Sequence, residues 1–218
     1  MTTYEEIATR ASAEALDLLG AFHPGPGDRT PGGTGTLLLL GPREPGFWAR
    51  LTGSPEWRDG SPDPLDRWSA RVVAGLARDL GGQALFPFGG PPHHPFYAWA
   101  LRSGRAFASP VTLLVHDRAG LMVSYRGAIA LPGRIELSVP PAASPCAACA
   151  SKPCLSACPA GALDARGYDV AACHAFLDTA DGADCLSSGC IVRRACPISR
   201  AYGRLPEQSA YHMRLFHR

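Results

Sequence analysis

All eight cysteines of this 218-residue chain lie between Cys146 and Cys196, and no cysteine precedes them. This crowding constrains the fold more than any other feature, because the C-terminal third must bring many thiols together. The cysteines form two runs: Cys146, Cys149, Cys154 and Cys158, then Cys173, Cys185, Cys190 and Cys196. The shift in composition, beside a stiff Pro-rich linker at 139–145, predicts two domains, 1–140 and 141–218.

The redox state expected for the thiols follows from the compartment that the sequence indicates. The N-terminus carries Glu5 and Glu6 where a signal peptide needs basic residues, and no apolar segment follows. The strongly apolar run Leu37–Leu40 is far too short to cross a bilayer. We therefore expect a cytoplasmic protein without a membrane partner. A net charge of +2 is too small to indicate nucleic acid as a partner.

The spacing of the cysteines is typical of iron–sulfur ligation. Each cubane cluster needs four thiolates, and eight cysteines divide into two sets of four. The pair Cys146 and Cys149 can reach one centre from a single tight loop. Cys158 and Cys196 each precede a proline, which favours a helix start and turns the cysteine towards a second cluster. The sequence therefore predicts two [4Fe–4S] clusters, with a helix beginning at 159–163.

Zinc and disulfides are the two alternatives for these thiols. Zinc ribbons also use Cys-x2-Cys pairs, but they do not usually need eight cysteines with two Cys-Pro steps. The residues between the cysteines are mostly small or apolar, which suits a cluster shielded from water. The reducing cytosol disfavours a disulfide framework.

The cysteine pattern resembles that of bacterial two-cluster ferredoxins, although four residues rather than two separate Cys149 from Cys154. It is most similar to the C-terminal part of epoxyqueuosine reductases, which also carry a lone cysteine in a helix, as Cys173 does in the predicted helix 169–177. The resemblance implies a bacterial-ferredoxin-like two-cluster domain at 141–218. It also implies one cluster on Cys146, Cys149, Cys154 and Cys196, and another on Cys158, Cys173, Cys185 and Cys190.

The residues before the cysteines indicate an α+β domain with antiparallel pairing. We predict helices at 4–20, 63–80 and 95–103, and loops at 24–35 and 53–62. Strands are predicted at 36–40, 84–88, 111–116, 121–131 and 134–137, with a turn at 117–120 joining two of them. Asp63 is expected to cap its helix, ahead of a proline at the first helical position. The tail at 205–216 is predicted to form a docking helix.

The segment His116–Pro141 contains Tyr125-Arg126-Gly127 and Leu131-Pro132-Gly133. It resembles a segment of CblC-type cobalamin-processing proteins, which have a nitroreductase-like α+β fold. The segments 63–66 and 92–94 resemble that family more weakly. The resemblance implies that 1–140 is a CblC-like domain in which Arg126 contacts a thiol such as glutathione, and His93 or His94 lies near a corrin.

The predicted corrinoid would occupy an apolar cavity near His93, His94, Phe96, Tyr97 and Tyr125. Simpler roles compete for the same residues. Arg126 could pair with a surface carboxylate, since it follows Tyr125 in a predicted strand. Adjacent histidines in an extended segment point to opposite sides, so one of the two would be structural.

Together these features favour an oxidoreductase, a corrinoid reductase or corrinoid-dependent reductase, in which two [4Fe–4S] clusters deliver electrons to cobalamin. Reduced ferredoxin, flavodoxin or a reductase would supply the electrons. One alternative is a ferredoxin-type electron carrier without its own catalytic site. Another is a flavin-dependent reductase, although no phosphate-cradling glycine loop for FMN follows a strand. No catalytic residue can be named, and the glycine-rich and acidic motifs of epoxyqueuosine reduction are missing.

Overall fold

The structure, a computed structural model, describes residues 2–141 and 143–217. The chain is α+β, as predicted, with 41% helix and 15% strand. It forms two compact units: the sheet unit, Met1–Arg105 with Ser124–Pro141, and the cysteine unit, Ala106–Val123 with Ala142–Arg218. The predicted domains 1–140 and 141–218 do not follow this division, because Ala106–Val123 belongs with the cysteines. Ala142 of the predicted linker, and Met1 and Arg218 at the predicted domain ends, lie outside the described residues.

The sheet unit is built on a four-stranded antiparallel sheet. Its strands, in spatial order, are β1 (Leu16–Phe22), β2 (Thr36–Pro42), β6 (Gly127–Leu131) and β3 (Gln83–Leu85). Every residue of β2 is buried, as its run of four leucines predicts for a strand covered on both faces. In the register of β2 with β6, Thr36 lies opposite Leu131 and Leu40 opposite Gly127.

Five helices accompany this sheet: α1 (Tyr4–Ala13), α2 (Gly46–Thr52), α3 (Pro55–Arg58), α4 (Pro64–Asp79) and α5 (Phe96–Arg102). Thr3 and Glu6 form a capping box that starts α1. The core receives Trp68 from α4 and Trp99 from α5, both almost fully buried. Trp99 Nε1 donates a hydrogen bond of 2.6 Å to the Asp28 carbonyl, which satisfies its polar atom.

The first predicted helix is too long. It ends at Ala13, Ala15 adopts a left-handed conformation with φ of 55°, and β1 follows. A β-carbon is disfavoured at such a φ, so this residue breaks the helix. The predicted loop 53–62 contains α3, and α2 was not predicted. α4 begins at Pro64 as predicted, but Asp63 has φ of 51° and its side chain does not cap the helix.

The predicted strand hairpin 111–116 with 121–131 is wrong. The turn exists, with a bridge between His116 and Gly120, but its two sides belong to different sheets. β5 (Leu114–His116) pairs with β4 (Ala106–Ala108), which was not predicted. The later half becomes β6, and 134–137 is not a strand. The predicted strand 84–88 shortens to β3.

The cysteine unit consists of short elements. Besides β4 and β5 it contains a two-stranded ribbon, β7 (Leu163–Asp164) with β8 (Gly167–Tyr168). Its helices are α6 (Val170–Leu177), α7 (Ala183–Ser188), α8 (Ile191–Ala195), α9 (Pro197–Ala201) and α10 (Pro206–Phe216). In the described part of the chain, no helix combines the length and apolar character needed to cross a bilayer.

Three sequence predictions in this unit are confirmed and one is wrong. Cys173 lies in a helix, α6, capped by the Asp169 side chain, which accepts from the Ala172 amide at 2.9 Å. A helix begins at Pro197, directly after Cys196, and the tail forms α10. No helix begins at Pro159. The chain instead turns through Gly161, which has φ of 61°, and enters β7.

Candidate metal centre

The first thiol group contains Cys146, Cys149, Cys154 and Cys196. Burial raises the pKa of the Cys146 thiol; the Ser144 hydroxyl lowers it, and the neighbouring Cys196 and Cys149 raise it again. Burial likewise raises the pKa of Cys154, and Cys146, Cys196 and Cys149 add to that rise. These four thiols therefore lie close enough to interact electrostatically. Cys154 and Cys196 are buried.

The second thiol group contains Cys158, Cys173, Cys185 and Cys190. Burial raises the pKa of Cys173; a hydrogen bond from Tyr168 lowers it, and the neighbouring Cys190 and Cys158 raise it. Burial also raises the pKa of Cys185, with Cys190 among the further causes. All eight cysteines are free thiols. The chain thus offers two sets of four sulfur donors.

Each group draws on both runs of the sequence. Cys196 comes from the second run but lies beside Cys146 and Cys154 of the first. Cys158 comes from the first run but lies beside Cys173. The two residues that cross over are those that precede proline. After Cys196 the chain starts a helix at Pro197. After Cys158 it instead turns at Gly161, which has a left-handed backbone conformation.

A buried apolar cluster packs with several of the thiols. Its buried members, which form one cluster with Cys154 and Cys196, are Val111, Val115, Leu121, Leu163 and Val192. Cys146, Cys158 and Cys190 pack against this cluster. An apolar surrounding limits access of water and strengthens electrostatic effects on bound groups.

Ala106–Val123 is fastened to the cysteine-bearing helices by polar contacts. The Leu121 amide donates to Ser199 Oγ of α9 at 2.8 Å. A β-carbon on Gly120, which has φ of 57°, would lie 2.5 Å from the Ser199 nitrogen, so only glycine fits there. His116 is fully buried, and its Nδ1 accepts from the Arg118 amide at 3.1 Å. This role could not be predicted from the sequence, because only the three-dimensional path of the chain brings the segment to the thiols.

Two polar side chains beside the second thiol group were also missed. Burial raises the pKa of Tyr168, and the neighbouring Cys173 thiol adds to that rise. The guanidinium of Arg193, on α8, carries its charge near Cys190 and Tyr168 and donates to the Leu121 carbonyl. Neither residue belongs to a recognisable motif, so the sequence offered no signal for them.

The residues predicted to bind a corrinoid lie in the sheet unit. Phe96 and Tyr125 are buried, with ring centroids 6.4 Å apart. His94 stacks on the buried Trp99 at 5.5 Å, a structural contact, whereas His93 is exposed. Tyr97, on α5, is 51% exposed. The two histidines thus differ in environment.

Arg126 forms an ion pair with a carboxylate, which is the simpler of the two roles considered for it from the sequence. Its Nη1 lies 3.5 Å from Asp66 Oδ1, and the arginine side chain is 13% exposed against 40% for the aspartate. Burial raises the pKa of Asp66, and the charge of Arg126 opposes that rise. The Arg126 amide donates to the Leu40 carbonyl at 2.8 Å, which ties the residue to β2.

The segment that resembles CblC-type proteins is divided between the two units: His116–Val123 belongs to the cysteine unit and Ser124–Pro141 to the sheet unit. Among residues 2–141 and 143–217, no group of three or more His, Cys, Asp or Glu side chains is arranged to hold a metal ion. No family model matches the sequence, and neither a curated protein nor a solved structure matches it.

Proposed function

We propose that the protein is an iron–sulfur redox protein whose cysteine unit holds two [4Fe–4S] clusters. The observation that carries the proposal is the sorting of eight free thiols into two groups of four, each drawn from both cysteine runs. Four thiolates are the complete ligand set of one cubane. The donor type therefore suits this group, although no three of the described side chains are arranged as they would be around a single metal ion.

Cys146, Cys149, Cys154 and Cys196 would hold one cluster, and Cys158, Cys173, Cys185 and Cys190 the other. When bound, such clusters supply one-electron transfer. The apolar cluster of the cysteine unit buries Cys154 and Cys196 and would limit the access of water to that part of the site. Zinc would instead need four sulfurs converging on one ion at about 2.3 Å, whereas a cubane spreads its four thiolates over four irons.

The metal content of anaerobically purified protein tests the proposal. We expect about eight irons and eight sulfides per chain, four of each per cubane ligand set, with a broad brown absorbance that dithionite bleaches. Stoichiometric zinc with little iron would refute the proposal. Loss of iron after exposure to air would not, since the anaerobic sample is the one that decides.

Replacing the two crossing cysteines tests the partition of the ligands. We expect Cys158→Ala to damage the cluster of the second thiol group and Cys196→Ala that of the first, because each residue lies beside the other run's thiols. EPR spectra of the reduced variants identify the surviving cluster. The partition is wrong if Cys158→Ala removes the cluster on Cys146, Cys149 and Cys154.

Delivery of electrons to a corrinoid is a further proposal for the sheet unit, carried by the resemblance of His116–Pro141. Titrating the anaerobic protein with cobalamin should produce a base-off spectral shift under this proposal. An unchanged cobalamin spectrum would favour the electron carrier without its own catalytic site. Arg126→Lys keeps the charge but loses the planar fork, so it should weaken corrinoid binding while both clusters remain.

A further inference from the structure

One short helix, α8, joins the two thiol groups. Cys190 of the second group is the residue directly before α8, and Cys196 of the first group is the residue directly after it. The five residues of α8 span only about 7.5 Å. Arg194 lies one turn after Cys190 and Arg200 one turn after Cys196, because each arginine amide donates to the carbonyl of its cysteine at 3.1 Å. A protein that docks on α8 and α9 is therefore close to both thiol groups.

The charges of the cysteine-bearing segment are divided along the sequence. From Cys146 to Asp184 it has two basic residues and five aspartates, whereas from Cys185 to His217 it has five arginines and a single carboxylate, Glu207. The net charge of +2 for the whole chain conceals this division. α8 and α9 therefore lie in a part of the cysteine unit with a local excess of positive charge, which attracts acidic molecules.

Arg200 presents an unpaired charge on this surface. Its side chain is exposed, and its Nε donates to the Arg194 carbonyl at 3.2 Å. Among residues 2–141 and 143–217, no carboxylate forms an ion pair with Arg200. Its neighbour Arg194, by contrast, is paired with Asp184, which offsets its charge. The two terminal nitrogens of Arg200 therefore remain available to bind a carboxylate from another molecule.

Exposed apolar surface accompanies this charge. Pro197 and Ala201, on the same helix as Arg200, are exposed. Leu155 is 38% exposed and lies in the short segment Pro153–Leu155, against which α8 packs. Complexes between electron-transfer proteins bury little surface and use complementary charge to speed their encounter. A small apolar area beside an unpaired arginine suits such a transient contact.

We propose that α8 and α9 form the docking surface for an acidic one-electron carrier protein, with Arg200 binding a carboxylate of the carrier. This inference rests on the proposed function, since it needs a cluster that accepts or donates an electron. In each encounter one partner loses one electron and the other gains it, and no covalent bond forms or breaks. Because α8 connects the two thiol groups, a single docking surface serves both clusters.

Electron exchange with carriers of opposite charge tests the inference. Full-length protein purified without oxygen is mixed by stopped flow with an acidic [2Fe–2S] ferredoxin, once with the ferredoxin reduced and once with the protein reduced, because one direction is downhill. Arg200→Glu should lower the second-order rate constant about tenfold at low salt, and Arg200→Gln about threefold, since encounter depends on the charge of the docking surface. Transfer from the reduced protein to a basic cytochrome c should not be slowed by Arg200→Glu.

Two comparisons separate the local charge from the net charge. Arg78→Glu makes the same change in net charge at an exposed residue of α4, in the sheet unit, and should change the ferredoxin rate by less than about twofold. At about 0.5 M salt, where the Debye length falls to roughly 4 Å, the wild type and Arg200→Glu should also agree within about twofold. Iron content and bleaching by dithionite, measured on every variant, show whether the clusters are present.

Failure of this inference is distinguishable from failure of the proposed function. A wild type without iron refutes both. If dithionite reduces the clusters but Arg200→Glu reacts with ferredoxin at the wild-type rate, or slows equally with cytochrome c, the inference is overturned and the proposed function stands. The same follows if ferredoxin exchanges no electrons in either direction, or if a DNA duplex binds more tightly than ferredoxin at equal salt. If Arg200→Glu loses iron, Arg200→Gln decides, because an unchanged rate overturns the inference.

Discussion

The two units fill their interiors with different chemistry. In the sheet unit the largest fully buried side chains are aliphatic and aromatic, such as Leu39, Trp68 and Trp99. In the cysteine unit the buried cluster includes Cys154 and Cys196, and four of its five helices have eight residues or fewer. Helices this short have little stability of their own. The comparison teaches that the sheet unit can be held by packing alone, whereas under the proposed function the cysteine unit would depend on the clusters that its thiols bind.

Metal removal should produce the largest contrast between the units. Stripping iron from the anaerobic protein with an oxidant and a chelator should raise amide exchange in α6 to α9 to nearly the rate of an unfolded chain, because ligation supplies much of the folding free energy there. Amides of β2 and β6 should keep their protection. Hydrogen exchange with mass spectrometry measures both. Equal loosening of the two units would break the comparison.

Trp68→Ala should have the opposite effect: it should destabilise the sheet unit and leave the cysteine unit unchanged. Removing this side chain, which is 1% exposed, should lower the free energy of unfolding of the sheet unit by about 3–5 kcal/mol, through lost burial and a residual cavity. Iron per folded chain should stay at the wild-type value. Tyr97→Ala, at an exposed aromatic residue, is the control and should cost less than about 1 kcal/mol. Urea unfolding followed by fluorescence, with iron analysis, checks both.

Gly120→Ala tests the comparison within the cysteine unit, because it should loosen the segment Ala106–Val123. The left-handed φ of 57° and the approach to the Ser199 backbone should together cost about 2–4 kcal/mol. Exchange should increase around α9, while β2 is unaffected. Gly27→Ala, where nothing lies within 4 Å of the new β-carbon, is the matched control. Wild-type exchange at α9 in Gly120→Ala would show that the segment does not brace the helix.

The smallest expected effect is a pH dependence confined to the sheet unit. Hydrogen bonding from Arg71 lowers the pKa of Glu56 from its ordinary 4.5 to about 2. A carboxyl with a depressed pKa stabilises the fold above pH 4.5, and that stability is lost as the pH falls towards 2. Because Arg71 is 54% exposed, screening reduces the contribution to about 1 kcal/mol.

Comparing the wild type with Glu56→Gln isolates this carboxyl from others. The difference in unfolding free energy, followed by tryptophan fluorescence, should be about 1 kcal/mol at pH 6 and should vanish near pH 2. A difference that is the same at both pH values would mean that the ion pair does not stabilise the sheet unit.

The sequence predicted elements well where several local signals agreed. The Asp63-Pro64 step and the double glycine after Leu80 together located α4. Where the only signal was the pattern of apolar residues or the position of a proline, the prediction was unreliable. The apolar residues at 16–19 suit a helix or a strand, and the backbone of Ala15 decides between them. Likewise, proline after Cys196 starts a helix, but after Cys158 the left-handed Gly161 redirects the chain.

The candidate site was only partly accessible from sequence. The eight cysteines are evident from the sequence, and their spacing predicts iron–sulfur ligation, because ligand spacing is local. The valines at 111 and 115 and the side chains of Tyr168 and Arg193 are not, because they reach the thiols only through the path of the chain in space.

The insertion of Ala106–Val123 into the cysteine unit has a consequence for synthesis on the ribosome. The chain emerges from its N-terminus, so Val111 and Val115 are made well before Cys196, with which they pack. At roughly 5–20 residues per second, the interval from Val111 to Cys196 is about 4 to 17 s. During that time the buried cluster that contains these valines is incomplete. Their side chains therefore stay exposed to water until Cys196 has been synthesised. A cysteine region expressed from residue 143 onward would lack them altogether and should be insoluble or unable to retain iron.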